Sequence, residues 1–417
     1  MEYIREPARQ IPIVADVALL VCGGGFAGVA SAVSAARNGV SVLLLERYGF
    51  LGGLCTAGLV ITTPPLDNGI NIEIARRLRK EGSYVPCTHS GEFVAGLHLH
   101  SIDPEVLKYE FIQMLQEQGV RFWFHTSVAG VVMEGRSIKA VVVENKTGRQ
   151  AVRAKIFIDA TGDGDVAAFA GAPFALLKKP MTMMFNMVGV DVPKVLDQFI
   201  TWDGIKRVLK EGVEKGEIVF DLGSDPEFGA PGVYAEGVYH DELNIWSGNL
   251  LDMNGLDPED LTQAEIITRT HAMRMAAFLK EKVPGFEKAR IKCTATQVGV
   301  RATRKIAGET SPGSEEIKHK MDREVVVKPY ANVPMNLPYG CLLPKNVENL
   351  LVAGRCISAE EETMGQLRLL PVCSSTGQGA GTAGAVAIDW GVPLRSLDVS
   401  HVQTVLMKQG MDLDLSS

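Results

Sequence analysis

Three glycines and one glutamate carry the clearest chemistry in this sequence. In VALLVCGGGFAGVASAVSAARNGVSVLLLE (residues 17–46), Gly23, Gly25 and Gly28 have the spacing G-x-G-x-x-G, and Glu46 closes the stretch. Gly23 permits a sharp turn, Gly25 lets a pyrophosphate approach the backbone, and Gly28 lets a helix pack closely on the preceding strand. The N–H groups of the helix that opens at Phe26 and Ala27 favour negative charge. Glu46, followed by Arg47, can accept both hydroxyls of a ribose and repels a 2′-phosphate. This is the chemistry of a dinucleotide site.

Other residues offer substrate chemistry. His98 and His100, two apart in FVAGLHLHS, present two imidazoles on one strand face for proton transfer, or else form an exposed face. Arg301, Arg304 and Lys305 cluster in VRATRKIAGE, and Arg368 lies in GQLRLLP. Forked guanidiniums suit a carboxylate or phosphate, unless Glu360, Glu361 and Glu362 occupy them. Cys22, Cys55, Cys87, Cys293, Cys341, Cys356 and Cys373 are scattered and form no C-x-x-C, which speaks against a zinc knuckle or iron–sulfur cluster and leaves no metal site expected.

The positioning elements follow from apolar periodicity. Residues 17–22 and 42–45 read as buried strands around a helix that Asn38-Gly39 stops. Residues 71–82 read as a solvent-facing helix and 93–101 as a strand. SIDPEVLKYEFIQMLQEQG reads as a helix capped by Asp103, opened by Pro104 and stopped by Gly119. Residues 120–159 alternate apolar and polar and break at Glu134-Gly135 and Thr147-Gly148, a β-meander of three or four strands ending in IFIDATGDGD. A less regular block follows, with a strand at MTMMFNMVGVD, a helix over 203–216, and a long helix capped by Asp257 or Thr262 and ended by Pro284-Gly285. NLLVAGRCIS returns as a strand into glycine, and the last helix is expected from about Gly377 to Trp390. No internal repeat occurs.

With 417 residues, 46% of them hydrophobic, the chain can bury a large core in two or three domains. A net charge of −7 without a dense basic patch argues against nucleic acid as a partner. No apolar stretch approaches the ~20 residues of a membrane span, so no membrane partner is expected. The first residues mix charges of both signs and lack a signal core, and the dispersed cysteines fit a reducing, cytoplasmic compartment.

Four motifs together (VCGGGFAG with Glu46, IDATGDGD, QVGVRATRKIAGE, and NLLVAGRCIS…STGQGAGTAGA) resemble the FAD-dependent oxidoreductases of the glutathione-reductase-like flavoprotein superfamily, over about Asp16 to Ala387. The resemblance implies FAD and a set of contacts. Gly23, Gly25, Phe26, Ala27 and Gly28 would meet the pyrophosphate, and Glu46 and Arg47 the adenosine ribose. Gly52, Gly53, Leu54 and Cys55 would lie beside the flavin, and Val128 would meet the adenine. Ala160, Thr161, Gly162 and Asp163 would close a second crossing near the pyrophosphate, and Gly354 and Arg355 would begin the last. Gly377, Gln378 and Gly379 would open a helix aimed at the flavin pyrimidine ring. A dithiol relay at Cys55 is excluded, because disulfide reductases carry their second cysteine five residues on, where this chain has Val60.

The expected fold is therefore α/β: a Rossmann-like FAD-binding domain with parallel sheet and meander (residues 1–173 and 340–417) and an inserted α+β substrate domain (174–339). The expected function is FAD-dependent hydride transfer from a small, anionic organic molecule, with His98, His100, Arg301 and Arg368 as the catalytic candidates. Self-association is left open. So are two alternatives: a nicotinamide-fed reductase or hydroxylase, and a flavin-binding subunit without turnover.

Overall fold

The run IVADVALLVC forms β1 (Ile13–Cys22), whose last four residues are buried, as a central strand covered on both faces requires. Small residues build α1 (Phe26–Arg37), Asn38 caps it, and β2 (Val42–Leu45) is wholly buried. The computed structural model describes residues 4, 7–87, 92–94, 97–199, 202–218, 234–246, 248–318, 324–413 and 415.

The helix Ile70–Lys80 is amphipathic rather than wholly solvent-facing, burying Ile70, Ile74, Ala75 and Leu78. In α2 (Pro104–Glu117) the Asp103 carboxylate accepts from the N–H groups of Glu105 and Val106, and Gly119 takes positive φ beyond the end. β3 (Arg121–Trp123) departs from the expected meander: it lies parallel to β2 at the sheet edge. The meander is β4 (Ser127–Glu134), β5 (Ser137–Asn145) and β6 (Gly148–Asp159). β6 makes the meander and the parallel strands one seven-stranded sheet, because its first half pairs antiparallel with β5 while Ala151–Asp159 runs parallel to β1.

The middle block contains an antiparallel sheet of β7 (Met184–Val188), β8 (Tyr234–Glu236), β9 (Glu242–Trp246) and β10 (Arg290–Thr294), in the order β8-β9-β7-β10. The long helix α3 (Pro258–Lys282) packs here and is capped by Asp257, whose carboxylate accepts from the N–H groups of Glu259 and Asp260. β11 (Leu350–Val352) then returns parallel to the end of β6. α4 (Leu370–Trp390) lies against α1, and α5 (Val399–Lys408) follows.

Among the described residues two apolar cores result. One joins the parallel sheet, α1, α2 and α4; the other joins β7, β9 and α3 with Leu59 and Ile61. Ala302, Ile306, Val325–Val327, Tyr339 and Cys341–Leu343 also pack in the first core.

Cys22 is level with Leu45 and Asp159, and Asp159 with Val352. Four parallel strands thus end on one line. The loops that leave them open into one crevice at their carboxyl ends, where open α/β sheets bind ligands.

Candidate functional site

That crevice is a cavity of about 390 Å³. The first glycine loop forms one wall, and its three glycines do different work. A Cβ on Gly23, whose φ is +106°, would lie 2.3 Å from the Ala160 carbonyl oxygen, and one on Gly28 would lie 1.7 Å from that of Gly23. Both must be glycine for the chain to pack. A Cβ on Gly25 would meet only Gly53, at 3.6 Å, so this position is bare toward the cavity rather than crowded. Gly25 is also the N-cap of α1 and has no side chain to occupy the first N–H groups. The second loop closes on the first through Gly52 N–H, which donates to the Gly24 carbonyl at 2.9 Å.

Glu46 is 7% exposed at the end of β2. Its carboxylate accepts from Gly24 N–H at 2.7 Å and Tyr48 N–H at 2.9 Å, which ties strand end to glycine loop. Burial raises its pKa against the opposing pull of those two donors. Across the cavity the Tyr48 hydroxyl and Arg47 both donate to Gln297 Oε1, the latter at 3.3 Å. Asp163 accepts from Thr303 Oγ1 at 2.7 Å and pairs with Arg355 at 3.0 Å, and Arg355 also donates to the Val300 carbonyl at 2.9 Å. Asp163 and Arg355 therefore clamp the loops after β6 and β11 to the segment 300–303. Behind them Asp159 is fully buried and accepts from Thr161 and from Ala167 N–H; burial pushes its carboxyl up to about 6.

The far wall brings together residues distant in sequence. Val60, Thr62 and Pro64 line it at alternating positions with Leu99; Met184 and Trp246 line it from the four-stranded sheet, and Thr182 lines it from the short strand beside Gly299–Val300. The Thr62 hydroxyl is buried there without a protein hydrogen-bond partner, as a group awaiting a ligand would be. Arg301 and Arg368 both reach this cavity. Burial, then the charge of Arg368, pushes the Arg301 guanidinium down to about 9, which leaves it charged at neutral pH. The lining carboxylates are Glu46, Asp163 and Glu265, and the last accepts from Val298 N–H at 2.6 Å and from Arg269 at 2.8 Å.

Of the residues expected from sequence, Gly23, Gly25, Phe26, Ala27, Glu46, Arg47, Gly52, Gly53, Leu54, Ala160, Thr161, Gly162, Asp163, Arg301, Gly354, Arg355 and Arg368 line the cavity. The others stand elsewhere. Gly28 supports the loop from behind. Cys55 is fully buried in the first core, and burial raises its thiol pKa. Val128 packs against that core from β4, opposite Val143. Gly377, Gln378 and Gly379 do not open a helix: α4 begins at Leu370, with Pro371 in its first turn. Gly377 is bare because a Cβ would lie 2.1 Å from the Ala27 carbonyl oxygen on α1. Gln378 accepts from Ile70 N–H at 2.9 Å, and a Cβ on Gly379 would lie 2.8 Å from the Val326 carbonyl oxygen. The helix end that does reach the cavity carries Leu369, Leu370 and Cys373; burial pushes the Cys373 thiol up to about 12.

The histidines are also displaced. Leu97–His98 and His100–Ile102 are separate short strands broken at Leu99, and it is Leu99 that faces the cavity. His98 is exposed, while the His100 ring stacks on Tyr84 at 4.5 Å, where burial lowers its pKa. Residues 88–91, 95 and 96 of this stretch lie outside the described residues. Arg304 is likewise turned away, donating to the Asp163 carbonyl at 2.9 Å and to Asp165 at 2.8 Å. Sequence reasoning missed Tyr48, Thr62, Trp246, Glu265 and Gln297. Pro371 was the signal available for the true start of α4.

The residues present fit a dinucleotide: a bare N-cap glycine between two loops, a buried carboxylate beside them, and an unsatisfied hydroxyl opposite. Residues 18–332 and 313–406 match the model of a family described as FAD dependent oxidoreductase. Among solved structures the chain is similar to a geranylgeranyl bacteriochlorophyll reductase-like protein from Thermoplasma acidophilum, with 12% identity and a TM-score of 0.55 over 95% of this chain and 84% of that one. It is also similar to p-nitrophenol 4-monooxygenase PnpA from Pseudomonas putida DLL-E4 (12%, 0.52, 95% and 89%) and to the flavin-dependent monooxygenase PieE in complex with FAD and substrate (13%, 0.50, 91% and 59%). At such identities the likeness is one of fold. No curated protein matches the chain. Among the described residues no helix is long and apolar enough to cross a membrane. With a family match that spans nearly its whole length and a cradle that suits the cofactor, the chain belongs to the FAD dependent oxidoreductase family and binds FAD.

Proposed function

We propose that the protein oxidises a small anionic organic molecule at a C–H bond, with residues 174–339 supplying most of the substrate side of the cavity. The observation that carries this reading is that Arg301 and Arg368, far apart in sequence, line one cavity close enough for the charge of Arg368 to act on Arg301, with apolar Leu99, Met184 and Trp246 in the same lining. Two guanidiniums there favour a carboxylate joined to an apolar body. When bound, FAD would supply a two-electron acceptor for hydride. The glycine loops and Glu46 would hold its pyrophosphate and ribose. The first turn of α4 brings the positive end of a 21-residue helix to the cavity, which favours the negative charge that reduction develops. The oxidation gives up one hydride and one proton; Glu46, Asp163 and Glu265 each already accept hydrogen bonds, and we assign the proton to solvent. The glutathione-reductase-like placement belongs to the same proposal, supported by β6 running from meander into parallel sheet. So does a cytoplasmic location, supported by seven free cysteines.

An anaerobic screen of small acids, alcohols, amines and sugars for loss of flavin absorbance tests this. An acid should bleach the flavin where its methyl ester does not. Arg368→Leu should then raise KM for that acid roughly 10–100-fold, the worth of one hydrogen bond to a charged group, while FAD content stays normal. Bleaching by NADH or NADPH alone, with every acid inert, would replace this reading with the nicotinamide-fed one.

A further inference from the structure

Asn249 stands behind Arg301. Its side-chain oxygen accepts from Arg301 Nη2 at 2.9 Å and from the Thr182 hydroxyl at 2.9 Å, and the same Nη2 lies 3.5 Å from Thr182 Oγ1. Asn249 and Thr182 are 7% and 4% exposed. Backbone pairing holds all three in place: Met181–Thr182 runs antiparallel to Gly299–Val300, and Met181 also bridges Leu250. The amide is therefore built into the support of the guanidinium.

The residue type at this position has consequences. An aspartate has nearly the same shape and would make a stronger, charge-assisted bond to Arg301. It would also cancel the positive charge that the cavity offers. Asparagine orients the guanidinium and adds no negative charge.

We propose that Asn249 is a specificity-determining positioning residue, which aims Arg301 with a neutral acceptor so that the cavity selects small carboxylates over uncharged molecules. The inference rests on the anionic-substrate reading above. It implies that N249D, which keeps the bond to Arg301, loses anion affinity more than N249A, which gives the bond up. Arg301 is bonded to this position, and the charge of Arg368 acts on Arg301.

The test uses the FAD-loaded protein, with acetate and benzoate as probes, and two variants, N249A and N249D. Dissociation constants come from the change in the flavin spectrum, and stability from thermal unfolding. N249D should bind both probes about tenfold or more weakly than the natural protein, and more weakly than N249A, through the added negative charge. Thermal unfolding checks that both variants fold. A purely structural asparagine would make N249A, which loses the bond to Arg301, bind the probes more weakly than N249D, which keeps it; that ranking, or unchanged probe binding in N249D, overturns the proposal. If the natural protein binds the probes and Arg368→Leu abolishes this while N249D binds normally, only the role of Asn249 fails. If the natural protein binds neither probe, the anionic reading falls and this inference with it.

Discussion

Gly25→Ala should separate cofactor binding from folding by means of one methyl group. Gly25 has φ −75° and ψ −171°, a conformation open to alanine, and the new Cβ meets nothing nearer than Gly53 Cα at 3.6 Å, an ordinary contact. Alanine is a poorer N-cap than glycine by roughly 0.5–1 kcal/mol, and it restricts the unfolded chain by about 0.4–1 kcal/mol in the opposite direction. The two effects offset, so the apo-protein should change stability by less than about 1 kcal/mol. The methyl would stand over the first N–H groups of α1, where the pyrophosphate must come. Losing two hydrogen bonds to a charged group, at roughly 1.5–3 kcal/mol each, weakens FAD about 10²–10⁴-fold. Titration of apo-protein with FAD, followed by fluorescence quenching, measures the affinity, and urea unfolding measures the stability. Gly28→Ala is the control: its Cβ would lie 1.7 Å from the Gly23 carbonyl oxygen, and the fold itself should suffer. If Gly25→Ala binds FAD within a few-fold of the natural protein, or unfolds as readily as Gly28→Ala, the division of labour among the glycines is wrong.

Three further outcomes are expected. Gly377→Ala should lower stability by about 1–3 kcal/mol or more, because α1 and α4 must separate, and leave the flavin reduction potential unchanged; a shifted potential at full stability would restore the flavin-facing role suggested by sequence. Glu46→Ala should weaken FAD by roughly 2–4 kcal/mol, and it should also destabilise the apo-protein by a similar amount, since Gly24 and Tyr48 lose their buried acceptor; an apo-protein of normal stability would show that the carboxylate does not hold the loops. Asp159 titrates near 6 in the fold against 3.8 ordinarily, so the folded state keeps a proton that the unfolded chain has released. Its contribution is present below pH 3.8 and is lost as pH rises through 6, by up to about 3 kcal/mol. Urea unfolding of the apo-protein at pH 4 and pH 7 should show this fall, and Asp159→Asn should flatten it.

What the sequence alone determined is local. The G-x-G-x-x-G turn, Glu46 at a strand end, Asp103 before Pro104, and the ATGD turn each depend on a few adjacent residues whose backbone preference or charge has one good use. The family resemblance drew on the same short motifs, and the residues it named around the first and second crossings line the cavity, Gly28 excepted. Tertiary structure decided which way side chains face. Gly25 and Gly377 are the same residue, yet one is bare for a ligand and the other for a neighbouring helix, a difference set only by what lies 2–4 Å away. Leu99 rather than His98 or His100 faces the cavity, because strand breaks and pairing with Thr62–Thr63 fix the alternation. Trp246 enters the far wall because β9 pairs with β7 at Met184, and Arg301 meets Asn249 and Thr182 because Met181–Thr182 pairs with Gly299–Val300. Backbone conformation is encoded by neighbours in the chain. The walls of a site are encoded by long-range pairings, whose register moves every side chain to one face or the other.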